Sequence, residues 1–197
     1  MSTSIAEVTR ADRDLAALSV LALLTTGPRH PYDIHRFVVE TRKDFVKGAP
    51  RSIYHAVERL EKAHLIEPVG SEQEGGRPER TVFSLTEAGR ADVRRRVALL
   101  LSSPRTDRTE TVAALSFLGI LGRESALAAL RARVGALDAA TQVLAADLSA
   151  AVGVPEILLV EAEFERRMIE AERTWFDDLI ARLVSGTLPW VPSDSWA

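Results

Sequence analysis

The stretch RSIYHAVERLEKAHLI, Arg51 to Ile66, crowds two arginines, a serine, a tyrosine and a histidine onto the opening turns of what reads as one helix. Ile53, Val57 and Leu60 recur at helical spacing and mark its buried stripe. Arg51, Ser52, His55 and Arg59 then fall on the opposite face, with Tyr54 on its shoulder. Such a face suits a polyanion. A guanidinium can fork onto guanine or phosphate, and hydroxyls can donate to phosphate oxygens. The helix start adds a favourable field and N–H groups for an anion. The plainer alternative is a solvated face, and nothing within the stretch decides between them.

A second candidate is Glu74-Gly75-Gly76-Arg77-Pro78, a turn that would hold Arg77 out at its tip. An arginine there can enter a narrow minor groove, with Arg80 reaching the flanking phosphates. Glu72 and Glu74 weaken that grip, and glycines serve ordinary turns first. Other chemistries find little support. The chain has no cysteine, which excludes disulfides and cysteine-based zinc sites. His30, His35, His55 and His64 include no His-x-x-x-His pair, so no metal is expected, and His30, which precedes a helix, reads as a cap or a packing residue. No nucleophile elbow, His-Glu-x-x-His or phosphate-cradling loop before a helix is present. Neither catalysis nor a cofactor is expected. Glu161, Glu163, Glu165, Glu170 and Glu172 scatter around one helix as its solvated side.

The elements that would position these residues follow from period and punctuation. Asp12 to Thr26 reads as a buried helix stopped by Gly27-Pro28. Pro31 opens a second helix to about Glu40, and Pro50 starts the third. Leu65 to Val69 and Thr81 to Leu85 read as two strands around a glycine-rich turn. Thr86 caps a fourth helix toward Leu101. Three helices followed by a hairpin is the order of a winged helix-turn-helix. Residues 102–110 (SSPRTDRTE) read as a hinge. Beyond it Leu127, Leu130, Val134, Leu137, Thr141, Leu144 and Leu148 alternate spacings of three and four, the seam of a coiled coil. After a break at Gly153-Val154-Pro155, a last helix carries Phe164, Met168, Trp175 and Leu179. The tail from Gly186 has no period.

Charge divides along the same line. Residues 1–100 hold 16 Lys/Arg against 14 Asp/Glu, whereas residues 101–197 hold 9 against 14. A polyanionic partner would therefore suit the first half only. The apolar run Leu15 to Leu24 is too short to span a bilayer and no signal segment is visible, so a cytoplasmic protein is expected.

Three segments in order, GPRHPYDIHR, APRSIYHAVERLEKAHLI and GGRPERTVFSLTEAGR, resemble the PadR family of bacterial transcriptional regulators. The resemblance is strongest over residues 15–100. One departure is His30-Pro31-Tyr32, where the family usually has His-Gly-Tyr. Proline there has no N–H to offer a phosphate. The resemblance implies a mostly α fold, a winged helix-turn-helix with a small β-hairpin wing followed by a helical dimerisation domain. It implies a repressor that binds a pseudo-palindromic operator as a homodimer and can respond to a phenolic or other planar aromatic effector. The expected layout is an arm over 1–11, a DNA-binding domain over 12–101, a hinge over 102–110, a dimerisation and effector domain over 111–185, and a tail over 186–197. The expected DNA contacts are Tyr32, Arg51, Ser52, Tyr54, His55, Arg59, Arg77 and Arg80. The expected dimer residues are Leu127, Leu130, Val134, Leu137, Leu144, Leu148, Phe164, Met168, Trp175 and Leu179. Trp175 and Phe164 are also candidates to stack on an effector, although an aromatic stripe at helical spacing is more often dimer core. The rival reading is a winged helix that docks protein and not DNA.

Overall fold

The structure, a computed structural model, describes residues 8–41, 43–48, 50–72, 80–103 and 107–192, with the side chains of 71 and 72 left aside. The chain is mostly helical, with one two-stranded antiparallel hairpin.

Helix α1 (Leu15–Leu24) is the central post. Asp14 caps it by accepting from the Ala17 N–H, and every residue from Ala17 to Leu24 is buried. A helix of ten residues that is apolar but for Ser19, whose hydroxyl donates to the Leu15 carbonyl, must be covered on all sides. Helices α2 (Pro31–Glu40), α3 (Arg51–Lys62) and α4 (Glu87–Ser102) cover it. His30 caps α2, its Nδ1 accepting from the Tyr32 N–H at 3.1 Å, and Pro31 takes the first helical position. There the missing N–H costs nothing within the helix. Ile34 and Val38 of α2 join Ile53, Ala56, Val57 and Leu60 of α3 in the core.

The hairpin is β1 (Ile66–Glu72) and β2 (Arg80–Leu85), with a register shift between Pro68 and Gly70. Arg29 adds a single bridge to Phe83, which ties the α1–α2 turn to the wing. Thr86 then caps α4 by accepting from the Gly89 N–H. Gly89 lies so close under the Leu65 carbonyl that a side chain there has no room.

Beyond residue 106 come α5 (Arg108–Ser116), a 3-10 turn at Leu118–Ile120, α6 (Arg123–Ala150), a second such turn at Glu156–Leu158, and α7 (Val160–Ser185). Three findings differ from the sequence reading. First, residues 107–110 of the expected hinge are the start of α5, closed by a capping box of Asp107 and Glu110. Second, the seam of α6 is partly buried inside the chain. Leu127, Leu130 and Leu137 face α4 and α7, and water-facing ends appear only toward Leu144 and Leu148. The 26-residue α7 is a far longer companion than the seam alone discloses. Third, the tail returns. Gly186 ends α7 in the left-handed region (φ 78°), Leu188 N–H bonds the Arg182 carbonyl, and Trp190 packs against the core.

Arg133 locks these layers together. Its buried guanidinium donates to the carbonyls of Leu100 and Ser103, to Thr111 Oγ1 and to Glu172, and lies 5.0 Å from the Phe176 ring centroid. It thus supplies orphan carbonyls at the end of α4 with donors and links four elements. Among the described residues, no helix is long and apolar enough to cross a membrane.

Candidate nucleic-acid interface

Helix α3 carries the face singled out in the sequence. Arg51, Tyr54, His55 and Arg59 are exposed on it, opposite the buried Ile53, Val57 and Leu60. Two expectations need correction. The Ser52 Oγ is enclosed and has no hydrogen-bond partner among the described residues, so it does not face a phosphate. The first turn is not an open row of donors either. Ser52 N–H bonds the Gly48 carbonyl, and the N–H groups of Ile53 and Tyr54 both reach the Pro50 carbonyl. The Gly48 and Pro50 carbonyls thus occupy the groups an anion would use.

The charged side chains differ in freedom. Arg59 is held by Asp14 at 2.6 Å, across 45 residues of chain. His55 lies 3.5 Å from Glu58. Arg36 on α2 sits between Asp33 and Glu40. Arg51 makes no ion pair among the described residues, and neither do Lys47 and Lys62. A cation with no intramolecular carboxylate is the kind that can neutralise a phosphate without first breaking a contact. Lys47, in the turn before α3, was missed by the sequence reading because that segment registered only as a break between helices.

The hairpin adds a further, half-buried cation at its end nearest the turn, where Arg80 stands in register with Glu72. Arg80 at the start of β2 lies over the ring of Tyr32 at the start of α2, 5.5 Å from its centroid. Tyr32 is 48% exposed, so the stacked pair presents a phenol and a guanidinium side by side. Sequence reasoning named both residues but not their contact. Arg77 and the glycines of the wing tip lie outside the described residues. Among the described residues, no group of three or more acidic or histidine side chains is placed to hold a metal.

Residues 20–95, from α1 through the wing into α4, match the family described as "Transcriptional regulator PadR-like family". Over that stretch, less than half of the chain, the sequence is similar to this family. No curated protein matches it by sequence. Among solved structures, PadR of Bacillus subtilis in complex with operator DNA shares 18% identity over 85% of this chain and 98% of its own, with a TM-score of 0.39. The same protein in complex with p-coumaric acid gives 17% identity, 86% and 98% coverage and a TM-score of 0.36. A PadR-like transcriptional regulator from Bacillus cereus gives 16% identity, 92% and 99% coverage and a TM-score of 0.36.

Outside the PadR-like domain, the candidate dimer residues divide into two groups. Leu127, Leu130, Leu137 and Leu179 are buried within the chain, and Val134, Leu144 and Leu148 are half-buried. Phe164, Met168 and Trp175 are 67%, 53% and 50% exposed. With Val160 and Ala171 they form a continuous outward stripe along α7, at spacings of four, four, three and four. Ile157 and Leu158 extend it at the tip of the α6–α7 hairpin. Trp175 lies edge-on to Phe176 beneath it. A shallow hollow, lined by Arg167, Glu170 and Thr174 among others, opens beside that tryptophan.

Proposed function

We propose that this chain is a sequence-specific DNA-binding regulator of transcription that acts as a homodimer, a repressor responsive to a small molecule. The observation that carries the reading is the exposed face of α3, opposite its buried stripe. Arg51 lies there unpaired among the described residues with the exposed Tyr54, Lys47 is likewise unpaired in the segment before the helix, and the Tyr32–Arg80 stack stands on the same PadR-like domain. The first turn of α3 enters the major groove, with Arg51 and Tyr54 leading and Arg80 on a flanking phosphate. Residues 12–101 form the DNA-binding unit and 111–185 the dimerisation unit. Two copies related by a twofold axis place two α3 helices one or more DNA turns apart, so the operator is pseudo-palindromic.

The outward stripe on α7 supplies the dimer face. Apolar side chains at heptad-like spacing, left open to water, are satisfied by a second helix of the same kind. Phe164 and Trp175 accordingly serve the dimer and not an effector pocket inside one chain.

A salt titration of duplex binding tests the DNA reading. Logarithmic affinity falls linearly with logarithmic salt, and Arg80→Ala lowers the slope by about one. Absence of duplex affinity at low salt leaves the rival, a winged helix that docks protein. That rival draws support from the pairing of Arg36 and Arg59 with carboxylates, which thins the positive field.

A further inference from the structure

The turn between α2 and α3 packs on α5, and a cleft of about 360 Å³ lies between them. Its wall carries three cations, Lys43, Lys47 and Arg108, against one carboxylate, Asp44. None of the three cations is ion-paired among the described residues. Lys43 is the unusual member. It is half-buried, and its Nζ sits 5.1 Å from the centroid of the fully buried Phe117. Burial holds its pKa below the ordinary lysine value. The nearby acids are engaged elsewhere. Asp107 accepts from the Glu110 N–H, and Glu110 is paired with Arg13. Thr109 and Ser116 add hydroxyls to the lining, while Phe45 and Val112 give it an apolar side.

A half-buried cation without an ion pair, in a cleft where one carboxylate faces three cations, is costly unless an anion arrives. With every group charged, the excess is two positive charges, the complement of a dianion. We propose that this cleft binds a small phosphate monoester, its dianion held by Lys43, Lys47 and Arg108 and its organic part laid on Phe45 and Val112. The site deepens the regulator reading and rests on it for its consequence. Lys43, Asp44, Phe45 and Lys47 wall the cleft and precede α3 in the chain, so an occupant bears on the helix proposed to read DNA.

Calorimetric titration of the full chain with phenyl phosphate, in the absence of DNA, tests the site. The expected result is saturable binding at one site per chain, weakened about tenfold or more by Arg108→Gln and by Lys43→Gln. Arg51→Gln leaves it unchanged, inorganic phosphate binds more weakly, and phenol shows none. Because Arg108 is exposed, its variant keeps the test sound even if Lys43→Gln disturbs the fold. Binding that is absent up to roughly 10 mM, or that survives both substitutions, overturns the proposal. So does displacement of phenyl phosphate by non-specific duplex in a manner that Lys43→Gln abolishes, which would reassign the cations to the DNA backbone. Phenyl phosphate binding in a chain with no duplex affinity would sink the regulator reading and leave the site standing.

Discussion

Arg51 and Arg59 stand on one face of one helix and read alike in the sequence, but their surroundings separate them. Arg51 is free of ion pairs among the described residues, whereas Arg59 closes on the N-cap of α1. Replacing Arg51 with alanine is expected to lower operator affinity by about 1–3 kcal/mol with the melting temperature nearly unchanged. An electrophoretic mobility shift together with a thermal melt reads both quantities. A large loss of stability would mean that the helix is rotated from the observed placement. The sequence reveals which side chains α3 turns outward, because helical period fixes facing. It is silent on which of them are already paired, because Asp14 lies 45 residues away. Similar distance hid Arg133, the most buried arginine among the described residues, since its partners sit on α4, α5 and α7.

Asp12 adds a pH dependence at the same scale. Burial alone would raise its pKa, but hydrogen bonds from Thr9 and Arg95 outweigh that and hold it below the ordinary carboxylate value. A carboxylate whose folded pKa is depressed contributes stability above its unfolded pKa, near 3.9, and loses it as pH falls through the folded value. Acid unfolding is therefore expected to steepen below about pH 4, and less so in Asp12→Asn. Chemical denaturation at a series of pH values measures the difference, and identical acid profiles would show that Asp12 contributes nothing.

At the scale of elements, the hinge between wing and α4 depends on one glycine. A Cβ at Gly89 would lie 2.0 Å from the Leu65 carbonyl oxygen and 2.9 Å from Leu85 Cδ2. That carbonyl accepts from the Thr86 N–H, so it cannot withdraw without undoing the cap of α4. Alanine is intrinsically the better helix former by about 1 kcal/mol. Overpacking is nonetheless expected to win, with Gly89→Ala destabilising by about 1–3 kcal/mol or more in urea unfolding. An unchanged midpoint would show that β1 can move off α4. The helices and strands themselves were legible, since Gly27-Pro28, Pro31, Pro50 and Thr86 punctuate clear changes of period. What failed was the stretch after α4. Its serines, charges and proline look like a linker, yet Asp107 and Glu110 are a capping pair and Glu110 is buried against Arg13. Polar composition marks helix starts and hinges alike.

The whole molecule turns on which apolar residues a single chain can cover. The seam of α6 and the stripe of α7 look equivalent in sequence, and only packing tells them apart. Leu137 is 2% exposed, covered by its own chain, while Phe164 on α7 faces water. The two positions should therefore fail differently. Leu137→Asp puts a charge into a covered site and is expected to cost about 4 kcal/mol or more, seen as loss of helical circular dichroism. Phe164→Glu places a charge on the outward stripe, so the chain keeps its helical signal but elutes as a monomer in light scattering. Its operator affinity then collapses, because two half-sites are no longer held by one particle and each bound α3 loses the benefit of its twin. A Phe164→Glu variant that stays dimeric would move the interface off α7, and the half-buried Leu144 and Leu148 at the far end of α6 would be the place to look next.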